Sequence, residues 1–127
     1  MVYVRGLREL ETAVMERVWA YDRPVTAREV ADALARQRPL AYTTVVTVMN
    51  RLVNKGILTK QRPGRAATFR AVRSREAYTA ALMAAVLGTA SDAPAVLLRF
   101  ADELPADQAD ALRRALEAGR QDPGRKP

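Results

Sequence analysis

The chain has 127 residues, 49% of them hydrophobic and 28% charged, with a net charge of +7 and neither cysteine nor histidine. That length holds one compact domain, or one small domain with an appendage, and excludes two large cores. The missing thiols and imidazoles remove disulfides, Cys nucleophiles, His general bases and the commonest zinc ligands together, and the sequence has no Gly-rich phosphate loop or G-x-S-x-G, so neither an enzyme nor a metal or cofactor is expected.

The opening Met1-Val2-Tyr3-Val4-Arg5 lacks the apolar core of a secretory signal. Arg, Asp or Glu interrupts every later run before it reaches the roughly 20 apolar residues of a membrane span. A cytoplasmic protein with no stable membrane association is therefore expected. Leu7, Leu10, Val14 and Val18 recur at helical spacing among Glu9, Glu11, Glu16 and Arg17, which predicts an amphipathic helix over 7–20, with Trp19 closing its apolar face. Thr26-Ala27-Arg28-Glu29 has the form of a capping box, in which hydroxyl and carboxylate each satisfy an orphan backbone N–H. It opens a second helix that buries Val30, Ala33 and Leu34 and stops before Pro39.

After a turn of about four residues, a third helix is predicted over Tyr42 to Asn54, and two helices joined so closely must cross steeply, as in a helix-turn-helix. Val45, Val48, Met49 and Leu52 form its inward stripe. Thr43, Thr47, Asn50, Arg51 and Asn54 then face outward, with Thr44 and Val46 at the borders. Gly56 ends the helix. Residues 57–61 and 67–72 read as two strands joined by Arg62-Pro63-Gly64-Arg65-Ala66, with Gly64 expected to let the tip turn tightly. Ser74 caps a fourth helix running to about Leu87, Asp92-Ala93-Pro94 opens a fifth through Phe100 and Ala101, and Pro105-Ala106-Asp107 opens a sixth ending near Gly119. The fold class is mainly α with a small β-hairpin. Residues 1–74 are expected to form a winged helix-turn-helix domain, 75–119 a helical dimerisation domain, and the polar, Pro/Gly-rich 120–127 a disordered tail.

Charge is unevenly placed along this order. Residues 1–75 carry 15 Lys or Arg against 6 Asp or Glu, and residues 76–127 carry 6 against 8. No acid occurs between Asp32 and Glu76, where Arg36, Arg38, Arg51, Lys55, Lys60, Arg62, Arg65, Arg70, Arg73 and Arg75 all fall. Such a field attracts a polyanion, and a helix-turn-helix followed by a basic hairpin supplies two different terms for duplex DNA. The third helix can enter the major groove, where Thr43, Thr44, Thr47, Asn50 and Arg51 reach base edges. Lys55, Lys60, Arg62 and Arg65 would meet the flanking phosphates and release counterions. An RNA-binding or adaptor module fits less well, since Tyr42 and Phe69 are the only aromatics in the basic stretch available for stacking on bases.

Leu10-Glu11-Thr12-Ala13-Val14-Met15 leading to Val18-Trp19, then Val25-Thr26-Ala27-Arg28-Glu29-Val30, then Tyr42-Thr43-Thr44-Val45-Val46-Thr47-Val48-Met49-Asn50-Arg51-Leu52 and Lys55-Gly56 resemble the penicillinase repressor family of bacterial regulators. The likeness runs from about Leu7 to Gly119. It implies a winged helix whose residues Tyr42, Thr43, Thr44, Val46 and Thr47 meet an operator, with Arg51 and the wing nearby, and C-terminal helices that form a homodimer. In that family a membrane sensor-protease relieves repression by cutting within those helices. The matching stretch here is Val96-Leu97-Leu98-Arg99-Phe100-Ala101, with Arg99 where cleaved members carry Asn before the Phe. Copper-responsive relatives sense metal through C-terminal cysteines, which this chain does not have.

Apolar residues in the tail give an independent reason for pairing. Leu82, Val86, Leu87, Val96, Leu97, Leu98, Phe100, Leu112 and Leu116 are more than three short helices can enclose within one protomer. A two-fold interface would bury them and set two third helices facing successive major grooves. The alternative is a small-molecule-responsive winged-helix regulator of another family, in which a ligand bound in an apolar cavity displaces the protein from DNA.

Overall fold

The computed structural model describes residues 8–37 and 39–121, with side chains through residue 119. Its elements in chain order are α1 (Glu9–Ala20), α2 (Ala27–Ala35), α3 (Tyr42–Asn54), β1 (Leu58–Gln61), β2 (Thr68–Ala71), α4 (Arg75–Leu87), α5 (Ala93–Glu103) and α6 (Ala106–Gln121). This is the expected mainly α chain with one hairpin. Leu7, Arg38 and the expected tail residues 122–127 lie outside the described residues, and α6 runs two residues beyond Gly119.

Local chemistry accounts for the element boundaries. Thr26 Oγ1 accepts the Glu29 N–H at 3.1 Å while Glu29 Oε1 accepts the Thr26 N–H at 3.0 Å, so the capping box closes as its sequence predicts. Six residues, 36–41, separate α2 from α3, slightly more than expected, because α2 stops at Ala35. Gly56 ends α3 at φ +79°, a left-handed conformation that a side chain resists. Ser74 Oγ accepts the Ala77 N–H at 3.1 Å at the start of α4, and Asp92 Oδ1 accepts the Ala95 N–H at 3.2 Å at the start of α5.

The chain divides into two compact units between Ala85 and Val86. In the first, three helices and the hairpin share one core: Val14, Met15 and Val18 from α1, Val30, Ala31 and Leu34 from α2, Val45, Val48, Met49 and Leu52 from α3, with Leu58, Phe69 and Val25. The buried stripe of α2 is Ala27, Val30, Ala31 and Leu34, the i, i+3, i+4, i+7 face; Ala33, expected inside, stands at its border and is half-buried. The hairpin is antiparallel, with Leu58 opposite Ala71 and Lys60 opposite Phe69. Each strand is shorter than expected, although Ile57 and Val72 still join by a 3.0 Å bond from the Val72 N–H to the Ile57 carbonyl. Val25 exchanges both backbone bonds with Phe69, at 2.9 and 2.7 Å, so the segment before α2 covers the free edge of β2.

In the second unit α5 buries no residue, and Val96, Leu97, Leu98, Phe100, Leu112 and Leu116 are all exposed, Leu98 at 68% and Leu116 at 61%. Among the described residues no helix is long and apolar enough to cross a membrane.

Candidate nucleic-acid interface

The inward stripe of α3 anchors the helix, so its remaining surface is fixed in direction. Tyr42, Thr43, Thr44, Thr47 and Arg51 are exposed, while Val46 and Asn50 are half-buried. Thr47 Oγ1 donates its proton to the Thr43 carbonyl at 2.9 Å. Its hydroxyl therefore offers solvent an acceptor and a methyl group rather than a donor.

The wing is tied to this helix. Lys60 Nζ donates to Asn50 Oδ1 at 3.0 Å and lies 5.6 Å from the Phe69 ring centroid. At the tip Arg62 Nη1 donates to the Arg65 carbonyl at 3.0 Å. Gly64 has no positive φ, and a Cβ there would meet nothing within 4 Å, so the tight turn expected of it is absent. Six residues, 62–67, span the tip, and a loop of that length closes without a left-handed glycine.

Arg28 was not among the sequence-derived candidates. It extends from the first turn of α2 and places its guanidinium 4.1 Å from the Tyr42 ring centroid. Its position off the Ala27/Val30/Ala31/Leu34 stripe was a usable signal, since the first turns of two crossing helices lie close together. Arg28, Tyr42 and Val46 from the helices and Lys60, Arg62, Arg65 and Phe69 from the hairpin line a groove of about 260 Å³. Among the described residues no carboxylate lines it.

Lys55, read from the sequence as a backbone contact, has its ammonium elsewhere. It lies 2.9 Å from both carboxylate oxygens of Glu11, which is 1% exposed. Burial alone would raise the Glu11 carboxyl, but the Arg8 N–H at 3.0 Å, Lys55 and the more distant Arg51 together hold it below its ordinary range. This pair fastens the last turn of α3 to α1. Sequence reasoning missed it, although Glu11 falls on the same face as Val14, Met15 and Val18, where a charge must find a partner.

At the C-terminal end of α3, a second, larger groove of about 800 Å³ is lined by Asn54, Trp19, Arg73, Tyr78 and Leu82 among others. Trp19 Nε1 donates to the Arg73 carbonyl at 3.0 Å, and its ring centroid stands 5.7 Å from that of Tyr78. Burial, with the nearby Glu11 charge, raises the Tyr78 phenol above its ordinary range.

The residues expected to pair two protomers fall on the three C-terminal helices. Leu82 and Leu87 on α4 are half-buried, Val86 is exposed, and Met83, not expected, is exposed beside it. Arg99 and Phe100, the candidate cleavage region, sit within α5 and are both exposed.

A family profile described as penicillinase repressor matches residues 7–118. The chain belongs to the penicillinase repressor family. It is 42% identical over 125 residues to a protein named transcriptional regulator BlaI in Mycobacterium tuberculosis, in strains CDC 1551 / Oshkosh and ATCC 25618 / H37Rv, covering 94% of this chain and 91% of the relative. The solution structure of the DNA-binding domain of the repressor BlaI aligns with 59% of this chain and 90% of its own length, at 23% identity and a TM-score of 0.50. That likeness shows the winged-helix fold for this penicillinase repressor family member, with the β1–β2 hairpin as the wing that follows α3.

Proposed function

We propose that this protein is a transcriptional repressor, not an enzyme, that acts in the cytoplasm by binding a palindromic duplex operator as a homodimer. The observation that carries the reading is the pairing of an outward, hydroxyl- and amide-bearing face on α3 with a groove that, among the described residues, gathers four cations and no acid. Thr43, Thr44, Val46, Thr47, Asn50 and Arg51 meet base edges, and Thr47 acts there as an acceptor or methyl contact. Lys60, Arg62 and Arg65 hold phosphates on the flank. Lys55 supports the interface through α3 while its charge is engaged by Glu11.

Residues 1–74 serve as the DNA-binding head and 75–119 as the pairing tail. In the second unit the exposed Val86, Val96, Leu97, Leu98, Phe100, Leu112 and Leu116 leave apolar surface that a second copy would cover, as an isologous interface requires. Derepression then acts on those helices, whether through a membrane sensor-protease that cuts near Arg99 and Phe100 or through another factor, because separating the tails separates the heads.

Selection of bound fragments from the source genome tests this directly, reading half-site sequence and spacing. Two half-sites about one helical turn apart are expected. Leu98→Glu and Leu116→Glu should give monomers by analytical ultracentrifugation and weaken operator binding in the same protein preparations. A wild-type chain that is monomeric and indifferent to duplexes in dilute salt refutes the proposal. A second reading, a small-molecule-responsive regulator, takes its support from the 800 Å³ groove beside Trp19 and Tyr78. A compound that raises the unfolding temperature and releases bound duplex would favour it.

A further inference from the structure

Among the described residues that line the basic groove, Arg28 is the one cation from outside both α3 and the wing. Its neighbour Glu29 is turned away from it: the Glu29 carboxylate accepts from Arg23 and from the Thr26 N–H, so it does not neutralise the groove. Tyr42 lies under the Arg28 guanidinium at 4.1 Å. Stacking of this kind fixes the plane of a guanidinium and leaves its N–H edges free to donate. On the wing, Lys60 and Arg62 are held by Asn50 Oδ1 and the Arg65 carbonyl, both uncharged acceptors. These bonds restrain the side chains without cancelling their charge. The result is a small space lined by positive groups from both helix and wing, with no carboxylate among the described residues that line it.

We propose that this groove seats one phosphodiester of each operator half-site, and that Arg28 is the residue that fixes which phosphate it is. This rests on the reading of the protein as a duplex-binding repressor. A phosphodiester presents two non-bridging oxygens that a flat guanidinium can grip side-on, with the wing cations as the opposing jaw. Because Arg28 stands on Tyr42, the first residue of α3, seating that phosphate sets how deeply and in what register the recognition helix enters the major groove. Arg28 is thus a positioning residue for sequence readout as well as a source of affinity.

The test walks a neutral methylphosphonate, one phosphate at a time, through a duplex carrying the selected operator, and measures binding of the full chain with Arg28, Arg28→Ala or Arg28→Lys. Wild type should lose about tenfold at one phosphate in each half-site, the scale of one hydrogen bond between charged groups. Arg28→Ala should lose about as much on the unmodified duplex and be penalised clearly less than wild type by that one substitution, because one side of the grip is already gone while the wing cations remain. Arg28→Lys should recover part of the affinity while tolerating mismatched bases better, since a point charge holds the phosphate without the planar grip. Thermal unfolding unchanged from wild type is expected for both variants, as the side chain is exposed.

If Arg28→Ala binds as wild type does, or is penalised by every methylphosphonate as wild type is, the proposal is overturned while the repressor reading stands. If wild type binds no duplex, both fall. A stabilisation by inorganic phosphate that depends on Arg28, together with a flat methylphosphonate walk, would assign the groove to a free anion and overturn the backbone assignment.

Discussion

Replacing Lys55 should destabilise the protein more than replacing Glu11, although the two form one ion pair. Glu11 accepts three hydrogen bonds, from the Arg8 N–H at 3.0 Å and from Lys55 Nζ at 2.9 Å to each oxygen, and is 1% exposed, whereas the Lys55 side chain is 39% exposed. Lys55→Met strands a buried carboxylate with one backbone donor left, and because the ammonium side of the pair is open to solvent the cost should fall below the roughly 3–5 kcal/mol of fully buried pairs, at about 2–3 kcal/mol. Glu11→Gln keeps the shape and a carbonyl acceptor, and the released ammonium can hydrate, so a loss of about 1–2 kcal/mol is expected. Glu11→Leu combined with Lys55→Met should cost less than Lys55→Met alone, because no charge is left behind.

Urea unfolding followed by the fluorescence of the single tryptophan, Trp19, reads all four proteins, at one fixed concentration so that any self-association is held constant. The stranded carboxyl also makes a pH prediction. Without Lys55 its hydrogen bonds and charge no longer lower the Glu11 carboxyl, so the folded pKa rises relative to wild type and the Lys55→Met deficit should shrink as the pH falls and the acid becomes neutral. A Lys55→Met protein within about 0.5 kcal/mol of wild type, or one more stable than Glu11→Gln, would refute the argument.

Thr26→Ala removes one half of a closed capping box and should cost about 1 kcal/mol, measurable as a lowered urea midpoint at unchanged slope. Gly56→Ala meets no atom within 4 Å, so its cost should be the backbone strain at φ +79° alone, about 1 kcal/mol, with Gly56→Asn milder. Arg23, then the Thr26 N–H, holds the Glu29 carboxyl at about 2 instead of its ordinary 4.5. The unfolded chain therefore binds more protons between those values, and stability should be complete above pH 4.5 and fall as the pH drops toward 2. Glu29→Gln should flatten that slope in urea midpoints taken across the window.

The sequence revealed most where a residue's own neighbours determine the outcome. The span of α3 was legible to the residue because Val45, Val48, Met49 and Leu52 keep strict helical spacing and Gly56 stops the run. The caps at Thr26, Ser74 and Asp92 were legible for the same local reason. The α1 stripe was read through Leu7, Leu10, Val14 and Val18, whereas the buried face is Glu11, Val14, Met15 and Val18. A glutamate among Glu9 and Glu16 resembles a solvated residue until its partner is known, and that partner is 44 positions away. The Gly64 expectation failed differently: Pro-Gly chemistry suits a two-residue turn, and the tip is longer.

The same limit governs the basic stretch. Counted along the chain, the ten cations between Asp32 and Glu76 are equivalent, but folding divides them according to what holds them. Lys55 and Arg75 are matched by carboxylates, Glu11 at 2.9 Å and Glu16 at 2.7 Å, so each of these charges has a counter-charge of the protein's own beside it. Lys60 and Arg62 are held by an amide oxygen and a backbone carbonyl, which fix position and leave the charge outward. Arg28 lies outside the acid-free stretch yet joins the second group, since an aromatic ring restrains it equally without neutralising it. Affinity for a polyanion depends on cations that are both ordered and uncompensated. That property belongs to the counter-groups, which only the tertiary structure brings into place.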